Sequence, residues 1–282
     1  MRRAALLGLP LNRRHSPAMH NAAFAANGID GEYVLRELTA EELPAEVERA
    51  RAERWFGFQI TAPHKQAIMP LLDEVEPAAA AIGAANCVEV TPEGRLVGFN
   101  TDVLGFMAGL APVLTRPLAG SRVVIAGSGG AARSAVYGIA GEHPELITIA
   151  ARRLEGAQRL AEEYAALAPI EAMALDDEAL DGRLVAADLL VNATSVGMLS
   201  VGPVVPVASL KPGTAVYDIV YIPRETELLR QARAAGHPAA NGENMLVHQA
   251  AVTFSRWTGA PDPTAIMRDA VEPLFADPNA KP

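Results

Sequence analysis

Short apolar runs recur along the chain at residues 4–7, 55–60, 123–126, 147–150, 189–191 and 215–220. Each has the length of a strand and falls short of a helix, so each reads as a buried strand. Between them lie longer stretches rich in Ala, Leu and Glu with helical spacing. Strands alternating with helices predict an α/β fold whose parallel sheets are covered on both faces. Ser16 before Pro17 reads as the N-cap of a helix over residues 17–27, and Thr39-Ala40-Glu41-Glu42 reads as a capping box opening another.

The pattern breaks at residues 104–121, where a short apolar helix gives way to Pro112, Pro117 and Gly120 before a new strand. A domain junction is expected there. The reading is two domains, residues 1–103 and 104–240, with C-terminal helices in 241–282 packing back on the first. One of those is an apolar helix over 243–257, and the polar tail 277–282 is expected to fray.

The chain has 282 residues, half of them hydrophobic, enough for two buried cores. Its 24 Lys and Arg against 33 Asp and Glu give a net charge of −9, which argues against a nucleic-acid or acidic-membrane partner and leaves a small molecule. The single Cys87 excludes an intramolecular disulfide and a multi-cysteine zinc site, and suits a reducing compartment. The first apolar run stops at Gly8-Leu9-Pro10, too short for a signal-peptide core, and no run approaches the roughly 20 residues that cross a bilayer. A cytoplasmic protein is expected. The histidines show no metal-ligand spacing, so no metal is expected.

The strand ending at Ala126 runs into Gly127-Ser128-Gly129-Gly130-Ala131-Ala132 and then a helical stretch. This is G-x-G-x-x-A in the strand–turn–helix setting that its mechanism requires. Gly127 allows the tight turn, Gly129 lets the backbone approach a pyrophosphate, and Ala132 permits close helix–strand packing. An NAD site usually places an acidic residue at the end of the next strand, but here that strand ends Ala150-Ala151-Arg152-Arg153. Two guanidinium groups suit a ribose 2′-phosphate, so NADP is expected over NAD.

The remaining motifs are Gly8-Leu9-Pro10, His15-Ser16-Pro17-Ala18-Met19-His20-Asn21, Ile60-Thr61-Ala62-Pro63-His64-Lys65, Ile82-Gly83-Ala84-Ala85-Asn86 and Gly98-Phe99-Asn100-Thr101-Asp102, followed by Asn192-Ala193-Thr194-Ser195-Val196-Gly197-Met198, Tyr217-Asp218-Ile219-Val220-Tyr221-Ile222-Pro223 and Gly242 with Met245-Leu246-Val247-His248-Gln249. Singly they say little: a lone Lys after Pro-His is ordinarily a solvated charge, and Asn-Thr-Asp is ordinarily a turn. In this order, over almost the whole chain, they resemble the shikimate dehydrogenase family.

The resemblance implies an N-terminal substrate domain, a Rossmann-type NADP-binding domain, and a cleft between them that closes on the ligands. It implies reversible, NADP-dependent reduction of 3-dehydroshikimate to shikimate, or of a related cyclic hydroxy or keto carboxylate such as quinate or aminoshikimate, in aromatic amino acid biosynthesis. By resemblance Lys65 is the proton donor at the reacting oxygen and Asp102 its partner. Arg14, Ser16, Thr61, Asn86, Tyr221 and Gln249 are expected on the substrate. Gly127, Ser128, Gly129, Gly130, Ala131, Arg152, Arg153, Thr194, Ser195, Val196, Ile219, Gly242 and Met245 are expected on the cofactor, the last three near the nicotinamide.

The chain departs from the family's pattern at several ligand positions. Arg14 stands where the family writes the first of two serines, Gln59 replaces an Asn, Glu243-Asn244 replace Leu-Gly, and Ala151 and Arg153 replace the outer residues of Asn-Arg-Thr. These leave the substrate's identity open while the Lys65–Asp102 pair stands. A non-catalytic NADP-binding sensor and a folate-linked dehydrogenase are the competing readings, and a homodimer is left open.

Overall fold

The computed structural model describes residues 1–11, 14–198, 200 and 202–276; the tail expected to fray lies outside them. The chain divides into two compact units. Met1–Asp102 with Val247–Ala276 form the first, and Val103–Leu246 belong to the second.

The first unit contains β1 (Arg2–Gly8), α1 (His15–Ala26), β2 (Gly31–Glu37), α2 (Leu43–Ala52), β3 (Gly57–Ile60), β4 (Glu74–Val75), α3 (Pro77–Ile82), β5 (Cys87–Val90) and β6 (Leu96–Phe99), in a sheet of order β2-β1-β3-β5-β6-β4. β1 runs parallel to β2 and β3. β5, however, is antiparallel to β3 and β6. The expected all-parallel sheet is therefore mixed here, because β5 and β6 are joined by five residues with no crossover helix, which only antiparallel neighbours allow. Leu7, Val47, Trp55, Phe58, Ile60, Val88 and Leu96 share one buried core.

The expected helix starts shift. α1 begins at His15 with Arg14 as N-cap and no side-chain cap, so Ser16 lies inside the first turn. Its hydroxyl bonds Tyr33 instead. Pro17 is tolerated because amides of the first turn have no helical partner. At the proposed capping box, Thr39 N donates to Glu42 Oε2 at 2.7 Å, yet α2 starts only at Leu43. That tetrapeptide forms the turn before the helix.

The second unit contains α4 (Asp102–Leu110, its first residue shared with the first unit), β7 (Arg122–Ala126), α5 (Gly130–Ala140), β8 (Leu146–Ala151), α6 (Leu154–Tyr164), β9 (Ile170–Ala174), α7 (Leu180–Ala186), β10 (Leu189–Asn192), β11 (Ala215–Asp218), α8 (Glu227–Ala234) and β12 (Ala239–Asn241). Its sheet order is β12-β11-β10-β7-β8-β9, and every pairing is parallel. Val123 and Ile125 of β7 enter one core cluster and Val124 the other, so alternate residues feed both faces. The order reverses between β7 and β10, and in such sheets a ligand binds at the carboxyl ends of the strands at that point. α9 (Glu243–Thr258) passes from the second unit's residues into the first's, and α10 (Thr264–Phe275) follows, packing on α1. No helix among the described residues is long and apolar enough to cross a membrane.

Candidate active site

In the first unit, three segments bring their polar side chains to one place. The segment after β3 delivers Lys65, the loop before β5 delivers Asn86, and the loop after β6 delivers Thr101 and Asp102; Thr61, also just past β3, sets its methyl against Gly8. His64 anchors the lysine's backbone: its buried imidazole contacts Leu38 O through Nε2 at 2.8 Å, and Lys65 O accepts Ala85 N at 3.0 Å. Asp102 opens α4, where the helix dipole favours a carboxylate, and its N–H donates to Asn100 Oδ1 at 2.9 Å.

Lys65 Nζ then lies 2.5 Å from Asp102 Oδ2, while Asp102 Oδ1 accepts Asn86 Nδ2 at 2.8 Å. Asn86 is fixed in turn, because its Oδ1 accepts Thr101 N at 2.8 Å and its Nδ2 also reaches Thr101 Oγ1 at 3.1 Å. The two side chains of the ion pair are 23% and 11% exposed, so the pair is largely desolvated yet open to a ligand on one side. An ammonium has three protons, and Asp102 takes one. The arrangement presents an oriented proton donor whose partner carboxylate is itself held.

Beside this pair runs a buried polar chain. Gln59 of β3 accepts Tyr33 OH at 2.6 Å and lies 3.1 Å from His20 Nε2 at its Oε1; its Nε2 donates to Gln249 Oε1 at 2.7 Å. Gln249 stands on α9, whose Trp257 donates its indole N–H to Val88 O at 3.0 Å, pinning the helix to β5. Burial pushes the His20 imidazole down to about 3, so it stays neutral, and pushes the Tyr33 hydroxyl up. Cys87 lies 3.1 Å from Thr253 Oγ1 and 3.5 Å from Thr101 Oγ1, and burial holds its thiol up at about 11. Gln59, a departure grouped above with ligand positions, is thus 4% exposed and lies behind Gln249. Tyr33 carried no signal for this role in the sequence. Arg14 is exposed at the head of α1.

In the second unit, β7 turns at Gly127, whose φ of +116° and whose Cβ position, 2.8 Å from Ala193 O, both demand glycine. A Cβ on Gly129 would meet nothing within 4 Å. That residue is the N-cap of α5, with no side chain capping the helix, so a pyrophosphate has room and free donors. Ala132 is fully buried in the core. Ser128 packs its hydroxyl over Gly156 in the first turn of α6. Arg152 and Arg153 flank that turn, exposed and in no ion pair among the described residues. No acidic residue ends β8.

The loop after β10 is held by side chains that the sequence showed only within motifs. Asn192 Oδ1 accepts both Thr194 N at 3.0 Å and Thr194 Oγ1 at 2.7 Å; its Nδ2 donates to Val196 O at 3.0 Å and Asp218 Oδ1 at 2.9 Å. Asp218, fully buried, also accepts Val220 N at 3.0 Å and Thr226 Oγ1 at 2.6 Å. Burial raises its carboxyl to about 6 against the opposing pull of those three bonds. Thr194 therefore shapes the loop that carries Ser195 and Val196. Gly242 meets Ile219 so closely that a Cβ would overlap its carbonyl oxygen, and Met245 is buried on the same helix start. The departure Glu243 is explained by its ion pair with Arg224 at 2.7 Å and its bond from Asn241 Nδ2 at 3.0 Å. Among the described residues no His, Cys, Asp or Glu group is placed to hold a metal ion.

Three family models match the chain: the shikimate dehydrogenase substrate binding domain over residues 6–88, shikimate/quinate 5-dehydrogenase over 110–220, and the shikimate 5′-dehydrogenase C-terminal domain over 242–272. The shikimate dehydrogenase (NADP(+)) of Citrifermentans bemidjiense is 41% identical over 279 residues, 98% of this chain and 96% of that protein. A shikimate 5-dehydrogenase from Thermus thermophilus, solved with NADP(H) and shikimate, superposes with a TM-score of 0.85 at 34% identity, covering 97% of this chain and 99% of that one. A quinate dehydrogenase from Corynebacterium glutamicum, solved with NAD, gives 0.89 at 31% identity, with the same coverage.

Proposed function

The chain belongs to the shikimate dehydrogenase family, and on that premise we propose that it interconverts 3-dehydroshikimate and shikimate with NADP(H), using Lys65 and Asp102 on the reacting oxygen. The observation that carries this reading is the 2.5 Å contact between Lys65 Nζ and Asp102 Oδ2, with Asn86 on the other carboxylate oxygen.

NADPH, when bound, supplies the hydride. Negative charge then develops on the substrate's carbonyl oxygen, and the Lys65 ammonium stabilises it and delivers a proton. Lys65 is left neutral and recovers a proton from solvent; the reverse reaction returns the proton to it. Asp102 keeps the ammonium aimed and accepts a hydrogen bond from a substrate hydroxyl. Ser16, Thr61, Asn86, Tyr221 and Gln249 read the remaining hydroxyls and the carboxylate, where a partner left unpaired penalises the wrong ligand. Arg14 adds a guanidinium suited to a carboxylate, in place of the usual serine.

The residues present fit the cofactor. The open space over Gly129 and the uncapped start of α5 take the pyrophosphate, with Gly127, Ser128, Gly130 and Ala131 around it, and Arg152 and Arg153 take the 2′-phosphate. Ile219, Gly242 and Met245 border the nicotinamide, and Thr194, Ser195 and Val196 meet the cofactor from the loop after β10. Apart from Tyr221, the substrate residues belong to the first unit, and the nucleotide residues belong to the second. A cytoplasmic location and a homodimeric assembly complete the reading, the latter tested by light scattering.

The decisive test follows NADPH absorbance with shikimate, quinate and their ketones. Lys65→Ala should lower kcat by about 10² to 10⁴, the range for loss of a general acid, with NADPH binding by fluorescence unchanged. A variant that turns over like the parent removes Lys65 from the chemistry.

A further inference from the structure

Gln59 is buried where the family's pattern has a shorter amide, and both ends of its side chain are engaged. We propose that Gln59 is a positioning residue for substrate recognition: it holds the Gln249 carbonyl so that Gln249 turns its NH₂ group toward an oxygen of the substrate. This rests on the assignment of Gln249 to the substrate made above.

The argument starts from the donors. The Tyr33 and His20 rings are stacked at 4.3 Å and 3°, which sets the tyrosine hydroxyl and His20 Nε2 side by side. Both meet Gln59 Oε1, at 2.6 and 3.1 Å. Because His20 is neutral, one ring nitrogen carries the proton; buried Nδ1 has no partner among the described residues, and an N–H there would be a donor left unsatisfied, so the proton sits on Nε2. Turning the Gln59 amide over would set its NH₂ against that N–H and the tyrosine hydroxyl. Its Nε2 therefore faces Gln249, and the 2.7 Å bond commits the Gln249 oxygen.

Side-chain length is the second element. Gln59 reaches α9 from the floor of β3, and an asparagine would stop about 1.5 Å short, the length of one carbon–carbon bond. That draws back the whole amide, taking its NH₂ beyond hydrogen-bond range of Gln249 and its oxygen away from Tyr33 and His20. The far end of the chain also touches the substrate residues, since Tyr33 bonds Ser16. A glutamine held in place before the ligand arrives loses less freedom on binding, which favours affinity.

The test measures KM for shikimate and for NADP in Gln59→Asn, Gln249→Ala and the double variant. Gln59→Asn should raise the shikimate KM about ten-fold, the equivalent of one hydrogen bond, and leave the NADP KM within about two-fold. In the Gln249→Ala background the same change should do nothing further, as for two residues acting as one. Gln59→Met, similar in length but without an amide, should show the same split. The proposal is overturned if the two substitutions multiply, or if the NADP KM rises in step. If Gln249→Ala alone leaves the shikimate KM unchanged, the assignment of Gln249 itself fails, and the proposal with it.

Discussion

Replacing Asp218 with asparagine should stabilise the protein at neutral pH and not at acid pH. The carboxylate is fully buried, and no cation stands among its three partners, Asn192, Val220 and Thr226. Lifting its carboxyl from an ordinary 3.8 to about 6 corresponds to about 3 kcal/mol at about 1.4 kcal/mol per pH unit. The sign is destabilising. Between about pH 4 and 6 the folded chain binds the proton that the unfolded chain has released, so stability falls as pH rises through that window. The penalty is complete above it and absent below it.

Asparagine carries no such penalty. Its oxygen keeps the bonds from Asn192 and Val220, and its NH₂ meets Thr226 Oγ1, whose hydroxyl rotates to accept, at a pH-independent cost of about 1 kcal/mol. Denaturant unfolding of parent and Asp218→Asn from about pH 4 to about pH 7.5 should show the difference in stability growing by about 2–3 kcal/mol. His20, held down to about 3, gives the opposite slope: neutral in the folded chain, it costs stability as pH falls below its ordinary 6.5. It contributes equally to both proteins and cancels. Parallel profiles, within about 1 kcal/mol across the range, would refute the reasoning.

Two further outcomes follow from the nucleotide side. Arg152→Ala should weaken NADP about ten-fold and NAD far less, because a charge-assisted bond to a 2′-phosphate has no counterpart in NAD; equal effects in fluorescence titrations would remove the arginine from that role. Gly242→Ala drives its Cβ into the backbone carbonyl of Ile219, an overlap that neither side can relieve by rotating a side chain. It should lower the unfolding midpoint and raise the NADP KM at least several-fold, whereas parental values for both would show that the β12–α9 turn yields freely.

The strands legible in the sequence were those of the sheet interiors. β7, β8, β10 and β11 are covered on both faces and read as apolar runs. β2, β4, β9 and β12 were not legible, and they are the four sheet edges. An edge strand is paired on one side only, so Gly31–Glu37 and Ile170–Ala174 carry charges and partly exposed positions. β5 and β6 hid for another reason, being four residues each in a hairpin where alternation suggested a crossover. The Lys65–Asp102 pair was legible because each residue sits in a dense local motif. The chain Ser16–Tyr33–Gln59–Gln249 was not, since it joins four segments that no local pattern links. Gln59 was visible only as a departure, without its direction.

Cys87 closes the chain of buried groups beside the Asp102 carboxylate, and it is the sequence's only thiol. Shielded and held as a neutral thiol, it reacts with a disulfide reagent only when the sheet around β5 opens. The molecule thus carries an intrinsic clock for the breathing of that region. Thiolate released from the reagent counts openings of the first unit alone, and any ligand that binds the closed unit better than the open one slows the count in proportion to its occupancy.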